Sequence, residues 1–272
     1  YAKNFTSMIE FYGKSTMLQE RRATEAALTQ WINADSARQQ QYGKVLAELD
    51  TLVKKGEQHQ ARDLLLGYLY YATMPATAEN LYRLAHEKQL PDMQREPGFQ
   101  ERDMTRFVNG LERIDRRYAP AVAKAIAFEL LSRYAQLPAS EHLAALDNFF
   151  GLKNGVDATK LEQQLDKMFS ETKLGDHAVR LAWMDKSVAD FKASNDPMIQ
   201  FAVAMYDTRE QLRNEQKQLS GDLMKVRPQY MEAIIAYNRA QGKPVYADAN
   251  SSLRVTYGNV KGYSPKDGMF AV

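Results

Sequence analysis

Cysteine is absent from the 272 residues. That excludes a thiol nucleophile, cysteine-ligated zinc and any disulfide framework. It leaves the compartment open, since an exported bacterial protein can also lack cysteine. Charge of one sign is lacking too: 36 Lys and Arg stand against 34 Asp and Glu, a formal net charge of +2. A dedicated nucleic-acid binder carries a marked basic excess, so that class is set aside. No run approaches the roughly 18 consecutive apolar residues that a membrane span needs. There is no glycine-rich phosphate loop and no Gly-x-Ser-x-Gly elbow. Histidine is scarce: His59, His86, His142 and His177 lie far apart, and none falls in a ligand pair.

What remains is an ordinary globular composition, 44% hydrophobic and 26% charged. A chain of this length buries about 70–75% of its unfolded surface, so a core forms without disulfides or metal. The apolar pattern predicts helices almost throughout. Tyr1 to Trp31 reads as helix with Gly13 as a weak interruption. Asp35 caps a second helix, whose stripe Tyr42, Val45, Leu46, Leu49, Leu52 and Val53 follows a 3.6-residue period and which Gly56 ends as a C′ glycine. Leu64 to Tyr71 forms a short apolar helix ending near Pro75, and Thr77 caps the next, through Leu84. Residues 90–98, with two prolines and a glycine, form a loop.

Pro120 opens a helix with Val122, Ile126, Leu130, Tyr134 and Leu137 as its apolar stripe, widened by Ala123, Ala127 and Leu131. Ser140 and Asp157 are candidate caps of two further helices. Asp196-Pro197 starts a long one in which Met205, Leu212 and Leu219 recur every seventh residue, the seam of a helical hairpin or bundle. Gly221 and Pro228 are positioned to kink or divide it before it resumes to Arg239. No period near 34 or 40 residues is sustained, which argues against a solenoid.

After Gly242 the chain turns β-like. Pro244 to Tyr246, then Leu253 to Tyr257, Val260 and Tyr263 predict two short strands, too few for a sheet of their own. Met269, Phe270 and Ala271 are strand-like with no partner in this reading. The chain starts at Tyr1 inside a helical pattern and stops in that run, so it reads as a piece of a longer protein; a processed mature chain is the alternative.

Catalytic constellations are not visible. His86-Glu87-Lys88-Gln89-Leu90 resembles a zinc-protease helix motif whose second histidine is replaced by Leu90. Pairs such as Glu10 with Glu20 or Asp185 with Asp190 are assigned to solvated faces, and the Met and aromatic stripes to the core. Lys3, Lys14, Arg21 and Arg22 form a weak basic strip. On residue chemistry alone this is a mainly α, irregular multi-helix bundle with a β appendage. A helical interaction module or a ligand-binding lid fits it.

The run Asp248-Ala249-Asn250-Ser251-Ser252-Leu253-Arg254-Val255-Thr256-Tyr257-Gly258-Asn259-Val260-Lys261-Gly262-Tyr263, continued by Ser264-Pro265-Lys266-Asp267-Gly268, resembles the exported bacterial serine dipeptidyl-peptidase family that includes dipeptidyl-peptidases seven and eleven. The opening Tyr1-Ala2-Lys3-Asn4-Phe5 resembles the Lys-Asn segment near the start of that family's helical domain. The resemblance implies a chymotrypsin-like double β-barrel carrying a helical insertion, here residues 1–242, with 243–272 returning to the barrel. It implies a serine exopeptidase that releases dipeptides from free peptide N-termini, with no cofactor and no metal. The Ser, His and Asp would lie in the barrel, since the nucleophile run Gly-Asn-Ser-Gly-Ser-Pro is not in this sequence; no catalytic residue is expected here. Asn4 is carried over as a ligand of the substrate's α-ammonium. The resemblance further implies peptide substrates, the enzyme's own barrel as partner, a homodimer, a periplasmic or exported location, and a lid hinged before Tyr1 and near Gly242 to Asn250. A free-standing helical interaction module remains the competing reading.

Overall fold

The computed structural model describes residues 2–116, 118–245, 253, 255, 257–266 and 268–271, leaving aside the side chains of 2–5, 264–266 and 269–271. Two compact units divide the chain. One comprises Tyr1–Leu46 with Pro228–Val272, the other Ala47–Arg227.

The first unit begins with α1 (Ala2–Lys14) and α2 (Met17–Asn33). The single helix expected over this stretch breaks just after Gly13, where the Ser15 hydroxyl accepts a hydrogen bond from Met17 N at 3.1 Å and restarts the chain. Asp35 caps α3 (Ser36–Tyr42) as expected, its carboxylate accepting from Arg38 N at 2.9 Å. The helix then stops at Gly43, and α4 (Val45–Glu57) starts afresh. Leu28, Ile32, Tyr42 and Ala233 form this unit's core, with Trp31, Tyr230, Ile234 and Tyr237 packed around it. Trp31 meets Tyr237 edge-on at 5.7 Å, and the Arg38 guanidinium lies over the Trp31 ring, 4.3 Å from its centroid.

At the end of the chain, β1 (Tyr263–Lys266) pairs antiparallel with β2 (Met269–Ala271), Tyr263 opposite Ala271 and Lys266 opposite Met269. This corrects the sequence reading in two ways. The run Met269 to Ala271 does have a partner. Pro244, Val245, Leu253, Val255, Tyr257 and Val260 lie outside any strand, while Tyr246 and residues 247–252 lie outside the described residues. A strand needs a neighbour for its backbone groups. Gly268, at φ 76°, supplies the left-handed turn that gives one to 263–266.

In the second unit α5 (Gln60–Tyr68) runs into a single 3₁₀ turn, Leu69–Ala72, and α6 (Met74–Glu87) follows with Pro75 in its first turn. Thr77 is therefore not a cap. It lies buried inside α6, its hydroxyl donating to the Thr73 carbonyl at 2.8 Å. The cap position is Thr73, a non-glycine at φ 64°. Gly56 is not a terminator either, since α4 continues past it. A Cβ there would lie 3.1 Å from Leu219 Cδ2, so the glycine marks close approach to the long helix.

The segment 90–98 is a loop holding one 3₁₀ turn, followed by α7 (Met104–Arg113). In α8 (Pro120–Tyr134) the buried stripe is Ala123, Ala127, Leu131 and Tyr134, and Val122 is exposed. The expected stripe was displaced by one position because the small alanines let α8 sit closely against α5 and α10 (Ala158–Glu171). α9 (Ala144–Phe150) starts without Ser140, which sits in an upstream 3₁₀ turn; Asp157 caps α10, accepting from Lys160 N at 3.1 Å. α11 (His177–Ala182) and α12 (Val188–Lys192) lead to α13 (Pro197–Ala240). Asp196 opens α13, accepting from Met198 N at 2.9 Å, and Met205 and Leu219 are buried along the expected seam.

α13 is not divided. It runs 44 residues through Gly221 and Pro228. A glycine costs about 1 kcal/mol in a helix and a proline about 3. Val226 and Ala233, on either side of Pro228, are both buried. The core of this unit is rich in rings: Tyr82 lies 5.1 Å from both Phe191 and Tyr206, and Trp183 lies 4.5 Å from Phe191. Beside it Arg180 is completely buried. It donates to the carbonyls of Leu174 and Gly175 at 2.9 Å, to that of Leu111 at 3.3 Å and to the Asp115 carboxylate, joining α11 to α7.

Candidate functional site

Asn4 lies on α1, and its side chain is outside the described residues. The helix that carries it is nevertheless informative. Met8, Ile9, Phe11 and Tyr12, which follow within two turns, are all exposed. Such a row on one helix is the pattern of an interaction surface. Of the basic strip read from the sequence, Lys14, Arg21 and Arg22 are exposed.

A groove of about 860 Å³ lies in the second unit. Its walls come from α4, α5, α6 and α13. Arg62, on α5, is only 7% exposed; its Nε donates to Asp63 Oδ1 at 2.8 Å. Across the groove Arg209 of α13 donates from Nε to Glu79 Oε1 at 3.0 Å. A second recess of about 620 Å³ shares Tyr70, Ala76 and Asn80 with the first. Tyr70 is one of three largely exposed tyrosines in ring contact, lying 6.1 Å from Tyr71, which is 5.9 Å from Tyr68. The sequence reading missed this groove. Its residues come from four helices, and no local spacing announces them.

Three of the histidines lie beside carboxylates and the fourth packs against rings. His59 Nδ1 lies 3.0 Å from Glu141, and His177 Nδ1 lies 3.2 Å from Asp115. His142 has Nδ1 3.0 Å from Asp147 and Nε2 3.2 Å from the Leu137 carbonyl. His86 stacks on Tyr206 with ring centroids 3.9 Å apart. Leu90 is exposed at the end of the region, so the apparent zinc-protease motif gathers no ligand set. Tyr134, whose hydroxyl accepts from Leu143 N at 2.5 Å, has its phenol pushed up to about 12 by burial. These groups fix loops rather than assemble a reacting centre. Glu87, nearly buried, accepts from Glu96 N at 2.9 Å and so pins the 90–98 loop to α6.

No helix among the described residues is long and apolar enough to cross a membrane, and no group of three or more His, Asp or Glu among them is placed to hold a metal ion.

The chain is 36% identical over 268 residues to an Asp/Glu-specific dipeptidyl-peptidase of Shewanella putrefaciens, covering 98% of this chain and 36% of the relative. It is 26% identical over 274 residues to an Asp/Glu-specific dipeptidyl-peptidase of Capnocytophaga gingivalis, covering 99% of this chain and 36% of that protein. With dipeptidyl-peptidase 7 of Porphyromonas endodontalis the identity is 24% over 274 residues, 98% of this chain and 31% of the relative. The chain thus spans about a third of the length of the curated relatives it matches. The family model described as Peptidase S46 matches residues 1–271, end to end with the helices and hairpin described above, and the chain belongs to that family.

Proposed function

We propose that this chain is the helical cap of a serine dipeptidyl-peptidase that releases dipeptides from the free N-terminus of peptides. The observation that carries the reading is the family match across residues 1–271, together with relatives named dipeptidyl-peptidases that are about three times as long. In this reading residues 1–242 form the cap and 243–272 return to a chymotrypsin-like double β-barrel, which supplies nucleophile, base and oxyanion hole. The helical segment by itself is inactive. The enzyme is exported, works as a homodimer and takes peptides as substrates.

The role of the cap is to hold the peptide's charged end. A free α-amine has a pKa of about 8 and is largely an ammonium at neutral pH. Enclosed, it needs acceptors for all three N–H bonds. The Asn4 carbonyl supplies one and the barrel the others. A blocked amine, or a longer overhang, leaves those acceptors unpaired, and that penalty sets the count of two residues. The exposed row Met8, Ile9, Phe11 and Tyr12 on the same helix gives the barrel an apolar surface to meet. Closure of the cap on the substrate would exclude water from the cleft.

Replacing Asn4 with Ala in the full-length enzyme is expected to raise KM and to lower kcat/KM several-fold or more on a free-amine substrate. Unchanged kinetics would remove Asn4 from the site.

A further inference from the structure

Arg62 presents an uncommon situation. Its side chain is more than nine-tenths buried, yet among the described residues only the Nε edge has an acceptor, Asp63 Oδ1 at 2.8 Å. Arg62 lines the groove, and neither of its Nη nitrogens is sealed from solvent. A guanidinium carries five N–H donors in a rigid plane, and burying it with most of them unmatched is costly. The planar pair of Nη donors matches the two oxygens of a carboxylate.

The surroundings select among anions. Asp63 balances Arg62, and Glu79 balances Arg209 on the opposite wall, bonded at 3.0 Å. Lys55, Arg213 and Glu215 also line the groove, so four cations stand against three carboxylates, an excess of one formal positive charge. A phosphate dianion placed there meets three carboxylates, Asp63, Glu79 and Glu215, whereas a monoanionic carboxylate meets the open Nη fork with half that repulsion. At about 860 Å³ the groove is far larger than one ion needs and falls in the range that holds a small organic ligand. Asn80, exposed on its rim and without an internal partner among the described residues, offers an amide that matches a peptide bond. We propose that this groove is a binding site for a carboxylate carried on a short peptide, with the Arg62 fork as its anchor. The carboxylate comes from a peptide C-terminus or from an acidic side chain.

The test is calorimetric titration of the full-length protein with N-acetylated peptides. These lack an α-ammonium, so their binding is independent of the exopeptidase reading. Acetyl-Ala-Glu-amide carries only a side-chain carboxylate, acetyl-Ala-Gln only a terminal one, and acetyl-Ala-Gln-amide neither; inorganic phosphate is the fourth probe. At least one carboxylate peptide should bind about tenfold or more tighter than the diamide, the value of a charge-assisted fork. The stronger of the two identifies the source. Arg62→Lys keeps the charge and removes the fork, and should abolish that preference. Gly67→Phe leaves Arg62 in place and fills the groove, since a Cβ at Gly67 meets nothing within 4 Å. It should abolish the preference as well, and it stands in should the Arg62 variant not fold. Equal affinity for all three peptides, tighter binding of phosphate, or a carboxylate preference that survives both variants would each overturn the proposal.

Discussion

At the scale of single residues, His86 shows how a ring can serve a core and still respond to pH. It stacks on Tyr206, with Tyr82 edge-on at 4.7 Å, and its Nε2 is buried without a partner. Burial holds its pKa below the ordinary imidazole value of 6.5, helped by Lys192 and opposed by Glu210, Asp207 and Glu87. A folded pKa below the unfolded one means that the unfolded chain takes up the proton first. Stability from this group is therefore full above about pH 6.5 and declines as pH falls below it. Thermal melts at pH 7.5 and 5.5 should show a smaller loss on acidification for His86→Phe than for the wild type; equal losses would exclude His86 as a contributor. In the sequence His86 stood out only as half of a zinc motif. Its ring partner, Tyr206, lies on a different helix, and such pairings leave no local trace.

At the scale of elements, the helices were largely legible because their signals are local. Asp35, Pro120, Asp157 and Asp196 act on backbone groups within three residues of themselves, and the structure has helices starting at each. Where the reading failed, a partner elsewhere decided the matter. Gly56 looks like a terminator until Leu219 is seen 3.1 Å from its absent Cβ. Gly56→Val should destabilise the protein by about 1–3 kcal/mol through overpacking between α4 and α13, while Gly56→Ala costs little because the flexible end of Leu219 can shift. Denaturant titration separates them, and equal midpoints for the two variants would contradict the close approach. Pro228 looked like a divider, and α13 absorbed it. The C-terminal strands were misplaced because β propensity says nothing about which run will find a neighbour.

At the scale of the whole molecule, the family was legible from the C-terminal run and the helix order, whereas the groove around Arg62 was not. Its lining runs from Lys55 to Leu219, and only folding collects those residues. The two units also differ in what holds them. The core of the first rests on Leu28, Ile32, Tyr42 and Ala233; that of the second gathers buried side chains from α5 through α13. Amide hydrogen exchange should therefore run at least about tenfold faster in α2 and α3 than in α6 and α8, a difference of ~1.4 kcal/mol in opening free energy. Matching protection in both sets would show a single cooperative unit instead.

The bare row on α1 has a colloidal side. Two aliphatic and two aromatic side chains, each more than half exposed, forgo at most roughly 1.5–3 kcal/mol apiece. Separated from the barrel proposed to cover it, the chain is expected to adhere to greasy surfaces, be it a neighbouring molecule at high concentration, a detergent micelle or the wall of a plastic tube.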